Sequence, residues 1–140
     1  MSKNQHPVAI VTGGSRGVGA STARMLCAKG WNVLITCTST LDQAKEIASF
    51  SSNHETEITP IVSDVSNKDD CVNSVKKCIE SWGRLDAIIN NAGTTKFVWD
   101  HSDLDGLTYE DFVRIYAVNV IGPFQMVTAA KPFLNESPNP

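Results

Sequence analysis

The residues best suited to chemistry stand together near the start of the chain. Thr12-Gly13-Gly14-Ser15-Arg16-Gly17-Val18-Gly19 follows directly on the apolar run Val8 to Val11. Its glycines at 13, 17 and 19 give the spacing G-x-x-x-G-x-G. Gly13 permits a tight turn out of a strand, and Gly17 lets the backbone come close to a bound pyrophosphate. Gly19 lets the following helix pack tightly. The free N–H groups and the positive dipole end of that helix would then hold the phosphates. Taken alone, the triplet serves equally well as a structural strand-to-helix turn. A Walker-type loop is excluded, because no Gly-Lys-Ser/Thr follows.

The elements that must position this loop alternate between two periods. Val8–Val11 reads as a strand buried on both faces. A helix from Val18 to Lys29 carries Ala20, Ala23, Leu26 and Cys27 at helical spacing, and Gly30 closes it. Trp31–Cys37 is the second strand. Ser39-x-x-Asp42 and Thr40-x-x-Gln43 both offer caps for a helix running to about Ser51. Ile58–Val62 is the third strand, and Ser66-x-x-Asp69 caps a helix with Val72, Val75, Ile79 and Trp82 facing inward, ended by Gly83. Leu85–Asn90 is the fourth strand. After a long polar loop to about Leu107, one helix from Thr108 to about Leu134 carries Phe112, Ile115, Tyr116, Val120, Phe124 and Val127. Strands separated by helices of this length make βαβ units, so the fold class is α/β: a Rossmann-type, doubly wound parallel sheet with helices on both faces.

At 140 residues the chain has the length of one domain, with a polar tail over 1–6 and a loop over 135–140. Twelve Lys and Arg against fifteen Asp and Glu give a net charge of -3, which argues against nucleic acid or an anionic membrane as partner. No apolar run is long enough for a membrane span or a signal peptide. The four cysteines, Cys27, Cys37, Cys71 and Cys78, form no C-x-x-C pair. They read as reduced packing residues of a cytoplasmic protein, with no zinc site and no disulfide framework. The histidines, His6, His54 and His101, read as solvated.

The glycine spacing does not stand alone. Together with Asp64 in Ser63-Asp64-Val65, the segment Asn90-Asn91-Ala92-Gly93 after the fourth strand, and Asn119 in Asn119-Val-Ile-Gly122, it resembles the short-chain dehydrogenase/reductase family from Val8 to about Leu134. The resemblance implies that Gly13, Gly17 and Gly19 form the dinucleotide loop, with Ser15, Arg16 and Val18 beside it. It implies that Asp64 accepts from the adenine amino group, with Val65 next to it. Asn90, Asn91, Ala92 and Gly93 support the sheet centre and pass the cofactor ribose. Asn119 holds a water of the family's proton relay, the one catalytic assignment within this sequence. Without the resemblance, Asp64 would read as a turn acid and Asn119 as a surface residue.

The cofactor expected is NADP(H) rather than NAD. NAD-selective proteins of this fold place an acid at the end of the second strand. Here that place falls on Cys37 or Thr38, and Thr36 to Thr40 contains no carboxylate. Arg16 supplies a cation suited to a 2′-phosphate by charge and fork geometry; the alternative is a solvated loop cation.

The family's acid/base pair, a Tyr-x-x-x-Lys with a serine on the preceding strand, is absent: Tyr109 is followed four residues on by Val113, and Tyr116 by Val120. The family's spacing puts that pair past Pro140, so these residues amount to a little over half of a family member. The expectation is a reductase or dehydrogenase acting on a small-molecule carbonyl or alcohol substrate, closest in look to 3-oxoacyl-carrier-protein reductases and dimeric or tetrameric when complete. The 140 residues alone are expected to be inactive. The competing readings are a truncated, non-catalytic dinucleotide-binding module and, with less support, a Rossmann-like methyltransferase.

Overall fold

The computed structural model describes residues 6–50 and 55–138. Four parallel strands form one sheet: β1 (Val8–Val11), β2 (Asn32–Cys37), β3 (Ile58–Val62) and β4 (Ala87–Ile89), in the spatial order β3-β2-β1-β4. The pairing of Val11 with Ile35 and with Ile89 fixes β1 at the centre. Proline 60 lacks an N–H, and it sits on β3, which pairs only with β2 at the sheet edge.

The chain winds outward from β1 to β3 and then returns to β4 on the other side of β1. That reversal opens a crevice at the carboxyl ends of β1 and β4. The two faces of the sheet are packed by different helices. Val8, Ile10 and Leu34 point to one side, against α3 (Lys68–Trp82) and α5 (Gly122–Leu134), through Cys71, Val75, Cys78, Trp82, Met126 and Ala130. Val11, Val33, Ile35 and Cys37 point to the other, against α1 (Gly17–Ala28) and α2 (Leu41–Ala48), through Ala20, Ala23, Cys27, Ala44 and Ile47. Burial on both faces is why β1 and the centre of β2, Val33–Ile35, read as continuous apolar runs rather than alternating ones.

Several helix ends differ from the sequence expectation. Helix α2 stops at Ala48, and Ser51 lies outside the described residues, as does His54. Its Thr40 makes no side-chain cap, because the hydroxyl is engaged elsewhere. Helix α3 is capped by Asn67, not Ser66: the Asn67 side chain accepts from the N–H groups of Asp69 and Asp70. The inward face of α3 carries Cys71, Ser74, Val75, Cys78 and Trp82, whereas Val72 is exposed. A shift by one residue turns a helix about 100°, so Cys71 and Val72 exchange sides. Gly83, at φ 76°, ends the helix in the left-handed conformation its sequence position suggested.

The long last helix is also not continuous. After a single 3₁₀ turn (Leu104–Gly106), α4 (Tyr109–Tyr116) starts with a full capping box between Thr108 and Asp111. A π-helical turn over Ala117–Ile121 separates it from α5. Pro123, near the start of α5, has no N–H to give the carbonyl four residues earlier, and the widened turn accommodates it. Phe112, Tyr116 and Phe124 stay exposed along these helices. His6 is not a free tail residue: its Nδ1 lies 3.1 Å from the Gly30 carbonyl.

Candidate cofactor site

The glycine loop leaves β1 and is locked in place by its neighbours on β4 and β2. The Thr12 hydroxyl accepts from the N–H groups of Asn91 and Ala92, both at 3.0 Å, and faces the Ile89 carbonyl at 3.4 Å. The Asn91 amide donates back to the carbonyls of Thr12 and Gly13, at 2.9 and 3.1 Å. On the other side Gly13 N–H donates to the Thr36 hydroxyl at 3.2 Å, and Gly14 N–H to the Thr36 carbonyl at 2.9 Å. The loop between β1 and α1 is thus fastened to the ends of β4 and β2.

Two glycines are needed here for different reasons. Gly17 has φ 56°, and a Cβ added to it would meet no atom within 4 Å, so the space above it is open. Gly19 is the reverse. A Cβ there would collide with the Gly13 carbonyl and, at 2.5 Å, with the Asn91 amide nitrogen. It permits α1 to close onto the loop itself and onto Asn91.

The crevice is a cleft of about 620 Å³. Of the residues expected at the cofactor, Gly13, Ser15, Arg16, Val18, Thr38, Asp64, Val65, Asn91, Ala92 and Gly93 line it, while Gly17 and Gly19 shape the loop. Among the described residues lining it, Asp64 is the one acid. Ser15 is buried, and its hydroxyl shares a 2.6 Å hydrogen bond with that of Thr40, which is why Thr40 does not cap α2. Arg16 and Thr38 are exposed on the same wall.

The opposite wall is the turn between β3 and α3. The Asp64 backbone N–H donates to Asp70 at 2.9 Å. Its Oδ1 accepts from the Ser66 N–H at 2.9 Å and from the Ser66 hydroxyl at 2.7 Å. Asp64 therefore does close a turn, and both of these bonds fall on a single carboxylate oxygen. Val65 is buried beneath it.

Asn119 stands one layer behind the cleft, in the π-helical turn. Its Oδ1 accepts from the Thr94 N–H at 2.8 Å and its Nδ2 donates to the Thr94 carbonyl at 2.9 Å. Both ends of the side-chain amide are thereby engaged. Arg114 adds a 2.7 Å bond to the Thr94 hydroxyl, and Lys96 pairs with Asp111 at 2.5 Å. The Lys96 ammonium and the Thr108 donors hold the Asp111 carboxyl down at about 2. These contacts tie the segment after β4 to α4. Beyond them Phe97 and Trp99 stack with ring centroids 6.1 Å apart.

Sequence reading missed Thr12, Gly14, Thr36, Thr40, Thr94 and Arg114. Gly14 had a signal, as the fourth glycine of the loop: a Cβ there would lie 2.6 Å from Ile35. Thr94 and Arg114 had none, since their meeting depends on the path of a long loop. Between the two asparagines after β4, Asn91 carries the bonds to the glycine loop and Asn90 is exposed.

The family model described as short chain dehydrogenase matches residues 7–139. The chain belongs to the short-chain dehydrogenase family. A Streptomyces violaceoruber protein, named as a ketoacyl reductase of the granaticin polyketide synthase, is 35% identical over 133 residues, covering 95% of this chain and 51% of the relative. The L-xylo-3-hexulose reductase of Hypocrea jecorina is 33% identical, over 91% of this chain and 47% of the relative. A short-chain dehydrogenase/reductase structure from Burkholderia xenovorans superposes with a TM-score of 0.89 at 36% identity, covering 95% of this chain and 54% of that one. A Thermococcus sibiricus alcohol dehydrogenase solved with 5-hydroxy-NADP gives a TM-score of 0.84 at 27% identity, covering 96% of this chain and 56% of that one. The chain spans about half the length of the relatives it matches. Among the described residues no helix is long and apolar enough to cross a membrane.

Proposed function

We propose that this chain forms the dinucleotide-binding part of an NADP(H)-dependent oxidoreductase acting on a small-molecule carbonyl or alcohol. The observation that carries the reading is the makeup of one cleft wall. Arg16, Ser15, Thr38 and Thr40 gather at the ends of β1 and β2, and no carboxylate stands among them. An acid there would repel a 2′-phosphate, and an arginine attracts it. NAD is the less favoured cofactor for the same reason.

The residues present fit a dinucleotide. Open space above Gly17 lets phosphate oxygens reach the first N–H groups of α1, where Arg16 as N-cap makes no side-chain hydrogen bond to them. The Asp64 carboxylate faces the other end, with one oxygen left to accept from an adenine amino group beside Val65. Asn91, Ala92 and Gly93 line the middle, past the ribose. When bound, the nicotinamide supplies or accepts the hydride. Asn119 is the residue assigned to the relay water, and its side-chain amide is committed to the Thr94 backbone. The Tyr-x-x-x-Lys pair would come from sequence beyond these residues.

The granaticin relative, named as a ketoacyl reductase, makes a 3-oxoacyl thioester the first substrate to try. The four buried free thiols suit a reducing cytoplasm, and the exposed Phe112, Tyr116 and Phe124 suit a dimer or tetramer. The test is NADPH oxidation by the full-length protein with 3-oxoacyl thioesters and simple ketones. Turnover with NADPH supports the reading. Stabilisation by NADPH with no turnover of any carbonyl would replace it with a non-catalytic binding module.

A further inference from the structure

We infer that Gln125, on α5, is a positioning residue for the adenine end of the cofactor, an inference that rests on the role proposed for Asp64. The turn Ser63 to Ser66 joins β3 to α3, and most of its restraints come from α3 itself. The Asp70 carboxylate accepts from the Asp64 N–H, and the Cys71 thiol lies 3.3 Å from the Val65 carbonyl. Two hydrogen bonds reach distant parts of the chain: Ser63 N–H donates to the Cys37 carbonyl of β2 at 2.8 Å, and Gln125 Nε2 donates to the same Val65 carbonyl at 2.9 Å, across 60 residues of sequence.

Gly122 makes that bond possible. A Cβ at Gly122 would stand 2.8 Å from Val65 Cγ2 and 3.0 Å from its Cβ, so only a glycine lets α5 approach this closely. Val65 is buried in the same cluster as Met126 and Ala130 of α5. The peptide between Val65 and Ser66 is therefore held from behind by α5, and its Ser66 N–H donates to the Asp64 carboxylate that faces the cleft in front. Removing the Gln125 donor leaves that carbonyl with only a weak thiol partner. The peptide is then free to rotate, and the carboxylate moves with it.

A base-selectivity ratio separates positioning from general stability. In the full-length protein, affinity is measured for NADPH and for its hypoxanthine analogue, which lacks the adenine amino group. The wild-type protein should prefer NADPH by about fivefold, the size of one net hydrogen bond. Gln125→Glu, of the same shape without the donor, and Gln125→Met should each lower that ratio at least about twofold. A variant that merely folds less well lowers both affinities together and leaves the ratio in place. The Gln125 role is overturned if both variants keep the wild-type ratio. A wild-type protein that binds both analogues equally overturns the Asp64 role as well.

Discussion

The side chain of Asn119 grips the backbone of Thr94 at both its N–H and its carbonyl, at 2.8 and 2.9 Å. A residue in a π-helical turn thereby fixes the segment that leaves β4 along the cleft. Replacing Asn119 by Asp removes the donor and sets a carboxylate against the Thr94 carbonyl. The expected cost is about 1–2 kcal/mol of stability, together with a fall in kcat that exceeds any change in NADPH affinity. Denaturant unfolding and steady-state kinetics of the full-length variant check both. An unchanged kcat would remove Asn119 from the machinery.

Arg16 is exposed at the N-cap of α1 and makes no side-chain capping bond. Its replacement by alanine should weaken NADPH by about tenfold or more, the size of a charge-assisted hydrogen bond, and NADH by much less. Calorimetric titration with both cofactors measures the difference. Equal losses would mean that Arg16 is only a solvated loop cation.

The strands and the glycine loop were legible because each depends on a local pattern. The apolar runs Val8–Val11 and Val33–Ile35 mark β1 and β2, and the glycines mark the turn after β1. The partners that hold the site were not legible, because they lie far apart in sequence. Thr94 meets Asn119 across 25 residues and Val65 meets Gln125 across 60. Thr40 shows a related failure. Its place before α2 signals a cap, yet its hydroxyl joins Ser15, 25 residues away. At Asn67 the opposite happened: a better cap one residue on from Ser66 took the position.

Gly17 and Gly14 should respond differently to alanine. Gly17→Ala meets no neighbour but forces a left-handed φ of 56°, at about 1–2 kcal/mol, and its methyl group would occupy the phosphate space. Gly14→Ala adds a methyl group 2.6 Å from Ile35, within the buried core. The first should lose NADPH affinity out of proportion to stability, and the second should lose stability first. Parallel thermal unfolding and cofactor titrations distinguish the two.

Asp86 binds the far end of the sheet together. Its carboxylate accepts from the Val8 N–H at 2.8 Å, from Arg84 at 2.7 and 2.8 Å, and from the Ser137 hydroxyl at 2.6 Å. Burial alone would raise its pKa, but these donors outweigh burial and hold the carboxyl below its ordinary value of 3.8. A carboxyl depressed in the folded state stabilises above its unfolded pKa, and that contribution is lost as pH falls through the folded value. Asp86→Asn should therefore cost about 3 kcal/mol at pH 7, and the gap from the wild-type protein should narrow below about pH 4. Denaturant titrations across that range read it directly; a gap independent of pH would contradict the ionic account.

Burial pushes the thiols of Cys71 and Cys78 up to about 11 and about 12, with nearby carboxylates adding to the rise, and burial raises Cys37 as well. The native protein should leave these three unmodified by a thiol reagent at pH 8, since the thiolate is the reacting form. All should react on unfolding. Fast modification of Cys71 or Cys78 in the folded protein would show that α3 opens.

The most direct test of the cofactor reading is calorimetric titration of the full-length protein with NADPH and, separately, NADH. The arrangement of Arg16, the β2–α2 hydroxyl groups and the acid-free wall predicts saturable binding of both, with NADPH tighter by about tenfold or more. Equal or tighter binding of NADH would contradict the assignment of that wall to a 2′-phosphate. No binding of either would contradict the dinucleotide site itself.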